Sequence, residues 1–258
     1  MTMSGKQDGG TKGADGRHRE PVRSERPEDA LPGERSSAGE VEAFLNKVRE
    51  LAPAQGGRRG RLIFAMDATM SRQPTWDLAL GLQADMFTAV KAVGGLDVQL
   101  VYFRGFGECR ASKWVRDPEA LARLMIQVSC RGGHTQIGKV LAHARRESAA
   151  QKVDALVYVG DCMEEQIDDL AALAGELGLL GVPAFMFQEG HDPTAETAFR
   201  EIARLTGGAW CRFDAGSADQ LRDLLSAVAV YASGGRKALA DLSKETSGNA
   251  RLLLEQIR

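Results

Sequence analysis

The chain has 258 residues, 43% of them hydrophobic, which is enough for one large domain with a real core and polar tails. A formal net charge of −2 and a pI near 6.1 leave no basic footprint for nucleic acid. No run of about 18 apolar residues would span a bilayer, and the polar N-terminus lacks the apolar stretch of a secretory signal. Neither a membrane nor a nucleic-acid partner is therefore expected, and the expected location is the cytoplasm.

Residues 1–38 are rich in Gly, Ser, Pro and mixed charge and hold almost no large apolar side chains, so they are expected to be disordered. Val41, Phe44, Leu45, Val48 and Leu51 fall at helical spacing and predict a short amphipathic helix over 39–52, joined by a glycine-rich linker to the domain at about residue 60. Strand one is expected over 62–66, a helix over 74–93, and strand two over 98–103. The turn RGFGE leads to an extended piece over 109–115. So short a gap allows a hairpin but no parallel crossover, which makes this an antiparallel edge strand. Helices are expected over 118–127 and 135–148, with the loop SCRGGHT between them.

The segment DALVYVG, 154–160, is apolar on both faces, as a central parallel strand should be. A helix over 165–179, a strand over 182–187, a helix over 194–206, the strand AWCRFD and a helix over 217–231 follow. Gly234 and Gly235 then break the chain before a charged helical tail over 233–258. Alternation of this kind predicts an α/β fold in three layers, a doubly wound and mostly parallel sheet with one antiparallel edge strand, over 60–232. Ligands of such sheets bind at the C-terminal strand ends, where the strand order reverses.

Strand one runs into an aspartate followed by hydroxyls at every second position: Asp67, Thr69 and Ser71. In extended backbone these alternate residues face the same way. Two later segments end at the same edge, the glycine loop leading to Thr135 and the strand ending at Asp161. Two carboxylates and three hydroxyls form an all-oxygen set, suited to a hard cation such as Mg²⁺ or Mn²⁺. Neutral hydroxyls leave such a metal electrophilic, with a position open to an anionic oxygen from a partner. Read singly, Asp67 could cap the following helix, Thr135 is a helix N-cap, and Asp161 is an ordinary strand-end residue; the case rests on the combination. Glu164 and Glu165 read as first-turn helix charges, and His134 and His191 as loop residues without a catalytic role. Cys109, Cys130, Cys162 and Cys211 lack CxxC spacing, give zinc no pattern, and read as small buried residues of a reducing compartment.

Asp67, Thr69, Ser71, Thr135 and Asp161 resemble the Asp-x-Ser-x-Ser, Thr and Asp positions of the metal-ion-dependent adhesion site (MIDAS) in the von Willebrand factor A (VWA) domain family. The resemblance covers about 60–232, with Thr69 in place of the usual serine and Cys162 where glycine is common. It implies a Rossmann-like fold and a non-enzymatic adaptor. Such a domain binds Mg²⁺ or Mn²⁺ and captures an Asp or Glu of a partner protein, in a multiprotein or ring-ATPase assembly. Two alternatives stand beside it. Gly133, Gly138 and Lys139 match part of a P-loop, which with Asp161 would make a nucleotide hydrolase, although Val140 replaces its hydroxyl residue. The other is a metal-free scaffold of the same fold.

Overall fold

The computed structural model describes residues 59–90, 93–214 and 217–245. The segment 1–38, the helix over 39–52, all but the end of the linker and the tail beyond 245 lie outside the described residues.

Strand β1, Gly60–Asp67, is buried at every position, and so is β4, Ala155–Gly160. Strands this apolar need cover on both faces. Alternate side chains of β1 supply two separate cores: Leu62, Phe64 and Met66 on one side, Ile63 and Ala65 on the other. The first core is closed by α1 (Gln73–Ala89), α2 (Pro118–Ile126) and α6 (Ala218–Glu245). The second is closed by α3 (Ile137–Ala150), α4 (Ile167–Leu179) and α5 (Pro193–Thr206).

The remaining strands are β2 (Leu96–Arg104), β3 (Glu108–Ala111), β5 (Ala184–Glu189) and β6 (Ala209–Phe213). The six-stranded sheet has the order β3-β2-β1-β4-β5-β6. Among the described strands only the β2–β3 pair is antiparallel. The chain thus builds outward from β1 through β2 to the β3 edge, then returns to β4 on the other side of β1. The reversal falls between β1 and β4, and Asp67 and Asp161 sit at the C-terminal ends of these two strands.

Local chemistry explains most boundaries. Asp117 and Asp192 accept from Ala120 N at 2.7 Å and Ala195 N at 2.6 Å, capping α2 and α5, each with proline in the first turn. Two expectations shift. The extended piece over 109–115 divides into β3 and a single bridge from Val115 to Val98, because the Ser112 hydroxyl takes Leu100 N in the ladder's place. Helices α3 and α4 each begin two residues late, at Ile137 and Ile167, because residues 135, 164 and 165 are bound to one another's segments. The helix breaks at Gly235 (φ 69°, ψ −166°), as the glycine pair predicts, and resumes as far as Glu245. No described helix is long and apolar enough to cross a membrane.

Loop 131–135 rests on the β2–β3 turn. His134 N donates to Gly105 O at 3.2 Å, and a Cβ on Gly133 would lie 2.3 Å from the Gly105 backbone. Backbone cannot swing aside as a side chain can, so Gly133→Ala is expected to cost about 1–3 kcal/mol in urea denaturation. Hydrogen exchange at the His134 amide should accelerate with it; unchanged exchange and stability would mean that the two loops do not bear on each other.

Candidate metal centre

Asp67 is 1% exposed. Beyond it the ladder continues for one more bond, Ala68 N to Phe103 O at 3.0 Å, and the chain then turns. Asp67 Oδ1 accepts from Thr69 N at 2.7 Å. Thr69 Oγ1 lies 3.4 Å from Ser71 Oγ, and Ser71 Oγ donates to Asp161 Oδ2 at 3.3 Å. A tight 3-10 turn over Met70–Arg72, closed by Arg72 N donating to Thr69 O at 3.0 Å, holds this spacing. Four of the five expected residues are thus linked in one continuous chain.

Thr135 is tied differently. Its hydroxyl accepts from Glu164 N at 3.0 Å, and its own N–H donates to Glu164 Oε2 at 3.0 Å. It therefore joins the centre through the segment that follows Asp161. Among the described residues no hydrogen bond links it to the other four.

The electrostatics of the edge are unusual. Asp67 Oδ2 and Asp161 Oδ1 are buried and have no hydrogen-bond partner. A buried acceptor without a donor carries its full desolvation cost. Burial pushes the Asp67 carboxyl from 3.8 up to about 6; the bonds from Thr69 oppose the rise and the charge of Asp161 adds to it. The thiol of Cys162 lies at the same place: one ligand atom each from Asp67, Asp161 and Cys162 fall within 4.8 Å of one another. Burial, then Asp161, pushes that thiol up to about 12. Two buried anionic oxygens with nothing to meet them fit a divalent cation, and Asp67 and Asp161 are the residues that could hold it, with Cys162 beside them.

Arg72 was not foreseen. No motif singles it out, and it is 8% exposed. Its guanidinium meets Asp161 Oδ2 at 3.2 Å and also pairs with Glu189, the last residue of β5, which takes the Thr75 hydroxyl as well. One cation thus spans the ends of β4 and β5.

The expectation for Glu164 and Glu165 is corrected. They are not first-turn charges of α4, which carries Asp168 and Asp169 there. Glu165 instead accepts from Ile137 N at 2.5 Å and Gly138 N at 2.9 Å, capping α3 from another loop. Thr135 is likewise not a side-chain cap of α3, whose N-cap position is Gln136. The P-loop alternative fails on the same observations. No strand leads directly into Gly133, Gly138 and Lys139 lie inside α3, and a carboxylate already holds the amides a phosphate would need. Lys139 Nζ donates to Gly107 O and Gln136 Oε1. His134 is a loop hydrogen-bonder, 3.1 Å from Glu164 Oε1.

Solved structures share this architecture. An aerotolerance-related membrane protein from Bacteroides fragilis superposes with a TM-score of 0.51 at 18% identity, covering 64% of this chain and 96% of its own. Proximal thread matrix protein 1 from the mussel byssus gives 0.52 at 15%, covering 70% of this chain and 48% of its own. The VWA domain of SpRpn10 gives 0.48 at 14%, covering 69% and 98%. This chain has a von Willebrand factor A-like fold. At these identities the VWA likeness is one of fold alone. No protein-family model matches the sequence, and no curated protein is significantly similar to it.

Two outcomes follow from the VWA-like edge. Because the Asp67 carboxyl is raised in the folded state, the metal-free fold loses stability as pH rises from about 4 through about 6. Asp67→Asn keeps an acceptor for Thr69 N and removes the buried charge. Without metal it should be about 2–3 kcal/mol more stable than the wild type at pH 8 and equal to it below pH 4. A variant no more stable at pH 8 would mean that Asp67 titrates normally. Arg72→Met strands Glu189 and should cost about 3–5 kcal/mol. Adding Glu189→Met should recover most of that loss in urea denaturation, and a double variant no better than the single one would refute the pairing.

Proposed function

We propose that this domain binds a divalent cation at the ends of β1 and β4 and uses it to capture a carboxylate of a partner protein, without catalysing a reaction. The observation that carries this reading is the pair of buried, unpartnered oxygens, Asp67 Oδ2 and Asp161 Oδ1, at the point where the strand order reverses. A dication satisfies both at once. Asp67 and Asp161 would be the most direct ligands, with Thr69, Ser71 and Thr135 direct or through water, and Mg²⁺ or Mn²⁺ suits their oxygens. Two carboxylates at most neutralise the ion, so an open coordination position favours an Asp or Glu from outside.

The rim favours a protein partner over a small anion. Met70, within the Asp67 loop, is 64% exposed. Phe106, in the β2–β3 turn, is 85% exposed and meets His134 edge-on at 5.1 Å. Large apolar side chains beside a charge-seeking centre suit a surface that buries them on contact. A cytoplasmic setting, in a multiprotein or ring-ATPase assembly, is part of the proposal and rests on the sequence alone.

Mn²⁺ titration followed by electron paramagnetic resonance tests the reading. Saturable binding by the wild type, lost in Asp67→Ala and indifferent to ATP, is the expected result. Undiminished binding by Asp67→Ala would overturn the assignment of the centre, and no binding at any Mn²⁺ concentration would favour a metal-free scaffold.

A further inference from the structure

The centre holds one donor that an oxygen-only site lacks. Cys162 directly follows Asp161, and its sulfur is one of three ligand atoms, with an oxygen each of Asp67 and Asp161, that lie within 4.8 Å of one another. Each carboxylate is anchored through one oxygen and bare at the other. Asp67 Oδ1 is held by Thr69 N, and Asp161 Oδ2 by Ser71 and Arg72. The second oxygen of each is buried without a partner, and Asp67 is 1% exposed. Resting on the metal-centre reading above, we infer that Cys162 is a metal ligand and that the centre takes a thiophilic dication of the Zn²⁺ or Co²⁺ class in preference to Mg²⁺.

The chemistry is one of donor softness. Carboxylate and hydroxyl oxygens suit hard cations, whereas a thiolate selects borderline ones. Three protein donors with one further position is the ligand count of zinc sites that keep an outside ligand, so the position for a partner's carboxylate survives the change of metal. Binding breaks the Sγ–H bond, forms the Sγ–metal bond and releases one proton to solvent; no electron is transferred. A coordinating thiol loses its proton outright, whatever its affinity for it when free. The dication and the Arg72 guanidinium together offset three of the four negative charges of Asp67, Asp161, the Cys162 thiolate and Glu189. Ser71 and Thr69 then act by orienting the carboxylates rather than as the principal ligands.

Co²⁺ titration of the full chain under reducing conditions, followed by absorption, tests this. The wild type should develop a near-ultraviolet sulfur-to-cobalt charge-transfer band together with visible ligand-field bands, and Zn²⁺ should abolish both. Cys162→Ser should lose the charge-transfer band. Its Zn²⁺ affinity should fall by more than the about 10–100-fold that losing an outer-shell partner costs, while Mn²⁺ binding by paramagnetic resonance stays unchanged. Cys130, which is buried and lies close enough to Asp67 to feel its charge, is the control: Cys130→Ser should keep the band. Cobalt bound by the wild type without the band, or a band that disappears with Cys130 instead, overturns the assignment of Cys162 and leaves the metal centre standing. No binding of Co²⁺, Zn²⁺ or Mn²⁺ overturns both.

Discussion

Two carboxylates end neighbouring buried strands, and the rest of this edge is organised around their charge. Burial raises the cost of ionising Asp67, and the charge of Asp161 beside it adds to that cost. The local answers are small: one amide for Asp67, one hydroxyl and part of one guanidinium for Asp161. Arg72 cannot neutralise the edge alone, because it also serves Glu189 at the end of β5. Charged groups arranged this way are costly by themselves and balanced once a dication is present. The same imbalance raises the Asp67 carboxyl and leaves two oxygens bare. Both are consequences of one placement, the end of β1 beside the end of β4.

Around that placement the loops are fixed by side chains that reach across to backbone. Glu164 exchanges two hydrogen bonds with Thr135, and Glu165 takes two amides at the start of α3, where a helix N-terminus favours negative charge. Gln136 Nε2 lies 3.2–3.4 Å from three carbonyls of the β2–β3 turn. Arg131 N donates to Ala68 O at 3.0 Å, joining the third loop to the first. Four segments that are far apart in sequence thus brace one another, and α3 and α4 start late because the residues before them serve the brace.

These details mark where the sequence could be read and where it could not. The continuous apolar runs of β1 and β4 announce central parallel strands, and Asp-Pro pairs at 117–118 and 192–193 announce two helix starts, because each signal is local. The hydroxyl alternation after Asp67 is also local, but extended backbone is not what brings Ser71 to Asp161; the 3-10 turn over Met70–Arg72 does. Glu164 and Glu165 were misread because their partners are amides about 30 residues away. Nothing in the string MSRQPTW distinguishes a buried Arg72 from a solvated one; only the proximity of Glu189 does. Cys162 gives no zinc spacing because its companions come from two strands, and ligand patterns are legible only when they share a segment.

The exposure of Phe106 bears on what the edge is for. Leaving a phenylalanine in water forgoes about 1.5–3 kcal/mol that burial would supply. The turn that carries it is not loose: besides the Gln136 contacts, Lys139 Nζ donates to Gly107 O at 2.9 Å and His134 N to Gly105 O at 3.2 Å. A mobile loop could fold an apolar side chain back onto the protein, but a braced one holds it out. Holding it out also lowers the ordering cost when a partner covers it. On the proposed reading the metal fixes where a carboxylate must sit, while Phe106 and Met70 supply apolar area that one coordination bond lacks. A centre built only to hold an ion would need neither side chain in water. Their place on the rim therefore argues for a contact surface with the cation as its point of register.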